Sequence, residues 1–144
     1  MAIDCKSLMI GDWVYFKTNK VYAKITEIYF TLDVEHKYMV SLNSCGNRYC
    51  VSINEIEPIP ITKEILEKNG FKKEIGAKEV VFTYDDDDKN YRLVIHPKET
   101  NYCGIYTYIH IDVGCVGIEE LPLEYVHQLQ HALRLCGIEK EITL

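Results

Sequence analysis

The chain has 144 residues, of which 47% are hydrophobic and 26% are charged, and its formal net charge is −6. These values are typical of a folded protein with one domain or two small subdomains, and the negative charge argues against indiscriminate binding of nucleic acid. No run approaches the roughly 18 apolar residues of a membrane span, and the N-terminus lacks the apolar core of a signal peptide. We therefore expect a cytoplasmic protein with no membrane partner.

Short strands separated by polar turns are predicted up to about residue 60. The candidates are rich in aromatic and β-branched residues, and they are Trp13–Phe16, Val21–Phe30, Tyr38–Leu42 and Tyr49–Ile53. The alternation drifts in the second of these, which predicts a bend or a bulge. Ile10-Gly-Asp-Trp-Val14 and the exit through Ile53 to Pro58 resemble an SH3-like barrel. Such barrels carry many functions, so the resemblance implies a fold and no activity.

Residues 61–144 are predicted to form a helix, three antiparallel strands and a final helix. Thr62 is a favourable N-cap for the first helix, and Gly70 suits the left-handed position at which a helix ends. The three strand candidates are Val80–Tyr84, Tyr91–His96 and Tyr102–Val113. The final amphipathic helix is expected to begin near Pro122 and to end at Gly137. The predicted fold is α+β, an SH3-like small β-barrel (1–60) packed on an α-β-β-β-α antiparallel-sheet unit (61–144).

The last predicted strand divides its side chains by parity into two faces. The apolar face holds Cys103, Ile105, Ile109, Ile111 and Val113, and the other face holds Tyr102, Tyr106, Tyr108, His110 and Asp112. A row of tyrosines can stack planar rings and donate hydrogen bonds at low entropic cost. The alternative is that this face packs under the final helix or the barrel, since tyrosine is commonly half-buried.

The final helix combines an apolar stripe with a polar face at helical spacing. The stripe is Val126, Leu129, Leu133 and Cys136, and the polar face is Glu124, His127, His131 and Arg134. The two histidines have the spacing of a zinc-binding pair, but Gln128 stands where the zincin motif has its glutamate base, so no metal is expected. Solvated histidines are the simplest interpretation. Contacts from His127, His131 and Arg134 to a phosphate or carboxylate are the functional alternative.

Other signatures of catalysis are weak. The six cysteines are expected to be reduced and structural rather than metal ligands, and they are Cys5, Cys45, Cys50, Cys103, Cys115 and Cys136. The acidic run Asp85–Asp88 lacks the EF-hand spacing and predicts a solvated turn. The sequence has no phosphate-binding glycine loop and no serine nucleophile elbow, and no cofactor is expected. A nucleophilic pair of Cys103 or Cys136 with His110 or His131 stays open.

Two segments carry a resemblance to a known group of proteins. Ile56-Glu-Pro-Ile-Pro-Ile-Thr-Lys-Glu-Ile-Leu-Glu-Lys-Asn-Gly-Phe71 and Tyr125-Val-His-Gln-Leu-Gln-His131 resemble short proteins from phages and mobile elements of gut Bacteroidetes. The similarity spans most of the chain, and its hallmark is the pairing of these two helical segments. The resemblance implies a phage or mobile-element origin and a location in the host cytosol, and it supplies no catalytic residues.

Three functions from different classes remain as hypotheses. The first is a non-catalytic binding protein that captures a small nucleotide-like ligand such as a host immune signal, with rings on tyrosine and phosphates on arginine and histidine. Its ligand-binding residues would be Arg92, Tyr106, Tyr108, His110, His127, His131 and Arg134. The second is a protein–protein adaptor that inhibits a host defence enzyme through exposed tyrosines, with a homo-oligomer as a related alternative. The third is a small hydrolase that uses a Cys-His pair or a histidine-bound metal.

Overall fold

The protein is mixed α+β and is built mainly from antiparallel strands with few helices, as the sequence predicts at this level. The computed structural model describes residues 3–32, 38–75, 80–86, 91–96, 108–113, 116–135 and 137–144. The chain divides into two compact units, the first formed by Met1–Pro60 with Tyr125–Gln130 and the second by Ile61–Glu124 with His131–Leu144. Within the described ranges, no helix has the length and apolar character needed to cross a membrane.

The first unit contains a five-stranded antiparallel sheet in the order β4-β3-β2-β1-β5. Its strands are β1 (Trp13–Phe16), β2 (Val21–Phe30), β3 (Tyr38–Ser44), β4 (Asn47–Ser52) and β5 (Ile56–Glu57). The first four form a meander, and after a 3-10 helix at Ile53–Glu55 the short strand β5 pairs with β1. The 3-10 helix is fixed by a capping box between Ser52 and Glu55, so this return of the chain is specified locally.

Alternating positions of these strands supply the core of the first unit. Val14, Ala23, Val40 and Leu42 are fully buried, one from each of β1 and β2 and two from β3. The pairing of β2 with β3 shifts register between Ile25 and Glu27. This shift confirms the predicted irregularity in the second strand.

The first part of helix α2 (Val126–Leu135) belongs to the first unit. Its Val126 N–H donates to the Ile59 carbonyl at 2.8 Å. The Gln130 side chain accepts a hydrogen bond from the Trp13 N–H at 2.9 Å and donates one to the Gly11 carbonyl at 3.0 Å. These long-range contacts place this part of the helix with the N-terminal strands, whereas the sequence analysis assigned the whole helix to residues 61–144.

The second unit contains helix α1 and a second five-stranded antiparallel sheet, in the order β10-β9-β8-β7-β6. Its elements are α1 (Lys63–Lys68), β6 (Lys72–Ile75), β7 (Val80–Asp86), β8 (Tyr91–His96), β9 (Tyr108–Val113) and β10 (Val116–Pro122). The sheet therefore has two strands more than the predicted three. All four β6 residues are exposed and lack apolar alternation, and the β10 register shifts between Ile118 and Leu121. Of the predicted strand Tyr102–Val113, residues 102–107 lie outside the described residues.

Pro122 closes strand β10 instead of opening the final helix, which corrects the predicted start. Its backbone pairs with Tyr108 of β9, and the helix begins at Val126. The side chain of Gln128 accepts a hydrogen bond from the Tyr125 N–H at 3.0 Å. This contact is half of a capping box, so the helix start is fixed by glutamine at its third position rather than by proline at its first.

Both helices end at the glycines that the sequence predicts, and α1 begins after its predicted N-cap. Thr62 caps the start of α1. Gly70 and Phe71 close α1 with the paired backbone hydrogen bonds of a Schellman motif, and Gly137 and Ile138 close α2 in the same way. The two glycines have φ angles of 78° and 65°, a left-handed conformation that costs other residues about 1–2 kcal/mol. The predicted C-terminal glycines are confirmed.

Candidate functional site

A row of four residues crosses the outer face of the first sheet. The register pairs Trp13 with Lys24, Lys24 with Asn43, and Asn43 with Arg48. Directly opposed residues point to the same face of a sheet, and the intervening positions of β1, β2 and β3 supply the buried core. These four residues, called the cross-strand row below, therefore lie side by side on the outer face.

Lys24 and Trp13 form a cation–π pair at one end of the row. The Nζ atom of Lys24 lies 5.2 Å from the centre of the Trp13 ring system, within the roughly 6 Å over which an ammonium is attracted to an aromatic face. Both side chains are half-buried. The pair holds a positive charge over one face of the indole ring, so a ligand with both an anionic group and a planar group can contact the two side chains together.

The backbone around Trp13 is fixed by buried polar side chains. The Gln130 side chain, which belongs to a residue only 7% exposed, accepts a hydrogen bond from the Trp13 N–H and donates one to the Gly11 carbonyl. The fully buried Asp12 carboxylate accepts a hydrogen bond from the Met9 N–H at 2.7 Å. Hydrogen bonds shielded from water hold their partners strongly, so the indole is presented from a rigid segment.

A pocket of about 460 Å³ opens beside the indole. Its walls are formed by Ile10, Gly11, Trp13, Lys24, Ile25, Thr26, Asn43 and Cys45. Small-molecule sites typically occupy roughly 300–1,000 Å³ and combine apolar walls with a few polar groups. This pocket, called the Trp13 pocket below, has that size and composition.

Two tyrosines adjoin the cross-strand row on the same face. Tyr15 and Tyr22 are paired across β1 and β2, each two residues from a member of the row. Their ring centroids are 5.7 Å apart with an interplanar angle of 61°, an edge-to-face contact. Tyr22 is 51% exposed. The outer face thus brings three aromatic rings together with the cations Lys24 and Arg48.

A smaller pocket of about 290 Å³ lies toward the other end of β2. It is lined by Tyr29, Thr31, Met39, Cys50, Val51, Ser52 and Glu55. The Tyr29 hydroxyl and the Cys50 thiol are hydrogen-bonded to each other. This hydrogen bond raises the pKa of the Tyr29 phenol, and desolvation and the negative charge of Glu27 add to the effect. The Glu27 carboxylate accepts a hydrogen bond from the Ser41 hydroxyl at 2.7 Å.

Three of the residues predicted from sequence to bind a ligand lie in the second sheet. The backbone register pairs Arg92 with Asp112, His110 with Val94, and Tyr108 with His96. Arg92, Tyr108 and His110 therefore occupy neighbouring strands β8 and β9. Tyr106 lies outside the described residues. The predicted role of these four residues in ligand binding stays a prediction.

The three predicted site residues on helix α2 have different environments. His127 is only 3% exposed, and its ring stacks on Tyr125 with a centroid separation of 5.8 Å and an interplanar angle of 8°. His131 is half-buried, and Arg134 is exposed. The expectation of a solvated polar face is therefore wrong for His127. The reason is that burial extends around the helix beyond the predicted stripe, and Gln130 and Ala132 are buried as well.

The thiols and carboxylates offer no metal centre in the part of the chain that the structure describes. There, no group of three or more histidine, cysteine, aspartate or glutamate side chains could hold a metal ion. Cys45 and Cys50 are exposed free thiols and Cys5 is half-buried, which corrects the expectation of buried structural cysteines for the first two. Cys103, Cys115 and Cys136, and the acidic residues Asp87 and Asp88, lie outside the described residues.

The cross-strand row was not predicted from sequence as a site. Its members come from four strands, so only the pairing register brings them together. One signal was present. Trp13, the single tryptophan of the chain, shares one parity of its strand with Tyr15 and alternates with Val14 and Phe16, which predicts an aromatic face on that strand.

No protein-family model matches this chain, and neither a curated protein nor a solved structure matches it.

Proposed function

We propose that this protein is a non-catalytic binding protein that captures a small nucleotide-type ligand in the Trp13 pocket. The observation that carries the proposal is the Lys24 ammonium held 5.2 Å from the centre of the Trp13 ring system, at the wall of a pocket of about 460 Å³. An aromatic base can pack against apolar and aromatic walls, while a phosphate needs a positive partner. Trp13 and Lys24 supply these two requirements side by side.

The charge of the whole chain supports a small ligand over a polymer. A net charge of −6 repels polyanions at long range. Lys24 and Arg48 are a local exception on the outer face, next to three aromatic rings. A compact anion can approach such a local site. Salt screens its repulsion from the distant negative charges of the protein, whereas its attraction to two nearby cations is screened much less.

We further propose that the first unit is an SH3-like barrel and that the protein originates from a phage or mobile element. The first proposal is supported by a four-stranded meander followed by a 3-10 helix and a short strand paired with β1. The second is supported by the resemblance of the segments at Ile56–Phe71 and Tyr125–His131. Capture of a nucleotide immune signal in the host cytosol would be the corresponding role.

Thermal unfolding tests the capture of a nucleotide. We expect linear or cyclic nucleotides to raise the Tm of the purified protein by several degrees, because binding to the native state adds stability by mass action. Inorganic phosphate alone should not reproduce the shift. Lys24→Ala should reduce it, and Lys6→Ala, which removes an exposed lysine that does not line the pocket, should leave it unchanged. An unchanged Tm across the whole nucleotide panel would contradict the proposal.

A second candidate function, a protein–protein adaptor, is favoured by exposed apolar side chains elsewhere in the first unit. Phe30 is 60% exposed and Leu32 is 95% exposed. Phe30 contacts Tyr38 edge-to-face at a centroid separation of 5.6 Å. Large exposed apolar side chains grouped in this way are typical of protein interaction sites.

The adaptor function can be tested with matched serine variants. If a partner binds at this surface, Phe30→Ser with Leu32→Ser should lose a host protein that the wild-type protein retains in a pull-down. Ile75→Ser removes an equally exposed side chain from the second unit and should retain the partner. Identical recovery with all three proteins would exclude this surface.

A further inference from the structure

We infer that the ligand of the Trp13 pocket is a dinucleotide rather than a mononucleotide, an inference that rests on the proposed function. The outer face offers two separate aromatic surfaces with one cation, Lys24, next to both of them, and a second cation further along the row. A mononucleotide has one ring system and would use only part of this arrangement.

The two ring surfaces are Trp13 and Tyr22. They are diagonal neighbours across the β1–β2 pair, because Trp13 is opposite Lys24 and Tyr22 is opposite Tyr15. Diagonal positions of this kind lie roughly 7–8 Å apart, about twice the 3.4 Å spacing of stacked bases. Two bases can therefore rest on this face separately, one in the Trp13 pocket and one on the exposed Tyr22 ring.

Tyr22 is suited to the second base because its ring is both accessible and oriented. It is 51% exposed, and the edge-to-face contact with Tyr15 restrains the plane of its ring. Stacking on an aromatic side chain tolerates any base, since every base has a π face. The Tyr22 surface would therefore contribute affinity without selecting the identity of the second base.

The cations are placed to bind two different phosphates of a dinucleotide. Lys24 adjoins both ring surfaces, since it is opposite Trp13 and two residues from Tyr22 on β2. Arg48 lies two strands beyond Lys24 in the row, a separation of roughly 10 Å at the usual strand spacing. Phosphate bound at Lys24 alone would leave Arg48 unused, whereas a ligand with a second phosphate can engage both.

Affinity measurements by titration calorimetry distinguish the two ligand classes. We expect a linear or cyclic dinucleotide to bind the wild-type protein roughly 5- to 150-fold more tightly than the corresponding mononucleotide, because one base–aromatic stack is worth about 1–3 kcal/mol. Tyr22→Ala should reduce this difference by the share that the Tyr22 stack contributes, while it preserves the affinity for the mononucleotide. Arg48→Ala should weaken binding of the dinucleotide more than binding of the mononucleotide.

Tyr29→Ala provides the matched control. It removes another partly exposed tyrosine of the same sheet that does not adjoin the row, and it should leave the preference for the dinucleotide intact. Equal affinities of the wild-type protein for the two ligands would overturn the inference and leave the proposed function standing. A single-stranded oligonucleotide that binds more tightly with each added nucleotide would overturn it in favour of strand binding. If no nucleotide binds, the proposed function itself is wrong.

Discussion

Asn69 joins the end of helix α1 to the C-terminal segment of the second unit. Its side chain is 4% exposed, and it donates to the carbonyls of Ile65 at 2.7 Å and Thr143 at 2.8 Å and accepts from the Thr143 N–H at 2.8 Å. Asn69→Ala removes all three hydrogen bonds, and we expect a loss of about 2–4 kcal/mol in the free energy of unfolding. Urea denaturation monitored by circular dichroism measures this loss.

Two further variants show whether the hydrogen bonds cause the effect. Asn69→Asp keeps the acceptor for Thr143 and loses both donated bonds, so its destabilisation should also be substantial. Asn54→Ala removes an exposed asparagine side chain and should change the free energy of unfolding by less than about 0.5 kcal/mol. A similarly small effect of Asn69→Ala would show that the C-terminal segment is held by other contacts.

The Tyr29–Cys50 hydrogen bond predicts a specific dependence on alkaline pH. The bond raises the pKa of Tyr29 in the folded protein, so folding favours the neutral phenol. The resulting stabilisation is fully present below the phenol's ordinary pKa of about 10 and is lost as the pH rises through the raised value. Cys50→Ala removes the largest cause, and the Tyr29 pKa should then fall toward its ordinary value.

Spectrophotometric titration resolves this effect when each protein is compared with its Tyr29→Phe counterpart. The difference between the two curves isolates the ionisation of Tyr29 from that of the other tyrosines. In the wild-type background the difference should develop at higher pH than in the Cys50→Ala background. Superimposable difference curves would show that Cys50 does not set the pKa of Tyr29.

Single residues were predictable from sequence only where local chemistry decides their environment. Thr62 and Gly70 were assigned correctly because a cap and a left-handed helix end are specified by the residue itself. The burial of His127 was not predicted. Periodicity divides a helix into two faces, but it cannot show how much of the helix surface is covered by the rest of the protein. The cation–π contact between Lys24 and Trp13 was not predicted, because it depends on the register of two strands.

The β3–β4 hairpin contains a two-residue turn with an unusual sequence. Cys45 and Gly46 both have positive φ angles, 49° and 85°, as a type I′ turn requires at its two central positions. Asn-Gly is the preferred pair in such turns, and cysteine is strained there. We expect Cys45→Asn to stabilise the protein by about 0.5–1 kcal/mol, measured as an increase in the urea midpoint.

Gly46→Ala is the opposite test of the same turn. An added Cβ would meet nothing within 4 Å, so any cost comes from the backbone conformation alone and should be about 1–2 kcal/mol. Cys45 forms part of the wall of the adjoining pocket. If Cys45→Asn destabilises the protein instead, the contacts of the thiol in that wall stabilise the protein by more than the backbone strain at this position costs.

Strands rich in aromatic and β-branched residues were predictable, and strands β6 and β10 were not. The first four strands of the first sheet were expected from their aromatic and β-branched residues, and they occur close to their predicted positions. Strand β6 consists of exposed residues, so its pairing with β7 is decided by the neighbouring strand rather than by its own pattern. Strand β10 ends at Pro122, a residue that sequence rules associate with a helix start.

The grouping of the chain into two units was set by contacts that sequence rules do not address. The mixed α+β class followed from runs of consecutive strand signals separated by few helix signals. Tyr125–Gln130 belong to the first unit, where the Gln130 side chain accepts a hydrogen bond from the Trp13 N–H and donates one to the Gly11 carbonyl, more than a hundred positions away in the chain. No local sequence pattern predicts such a contact, because a glutamine on a helix is ordinarily solvated.

The charge of the whole molecule predicts how nucleotide binding responds to ligand length and salt. The net charge is −6 and the isoelectric point is about 5.3, so a long polyanion meets repulsion that two cations on one face do not overcome. We expect affinity to stop increasing once the ligand covers the cross-strand row. The slope of log affinity against log salt should be about −1.4, the value for two phosphate contacts in a single strand.

Fluorescence anisotropy with labelled oligonucleotides of increasing length, repeated over a range of salt concentrations, measures both quantities. Duplex DNA should show no binding at physiological salt, because its affinity for any protein without a broad basic surface is weak. A slope much steeper than two contacts allow would reveal a basic surface larger than Lys24 and Arg48. In that case the outer face of the first sheet would be a nucleic-acid interface, and the aromatic rings of Trp13 and Tyr22 would serve as stacking surfaces along a strand.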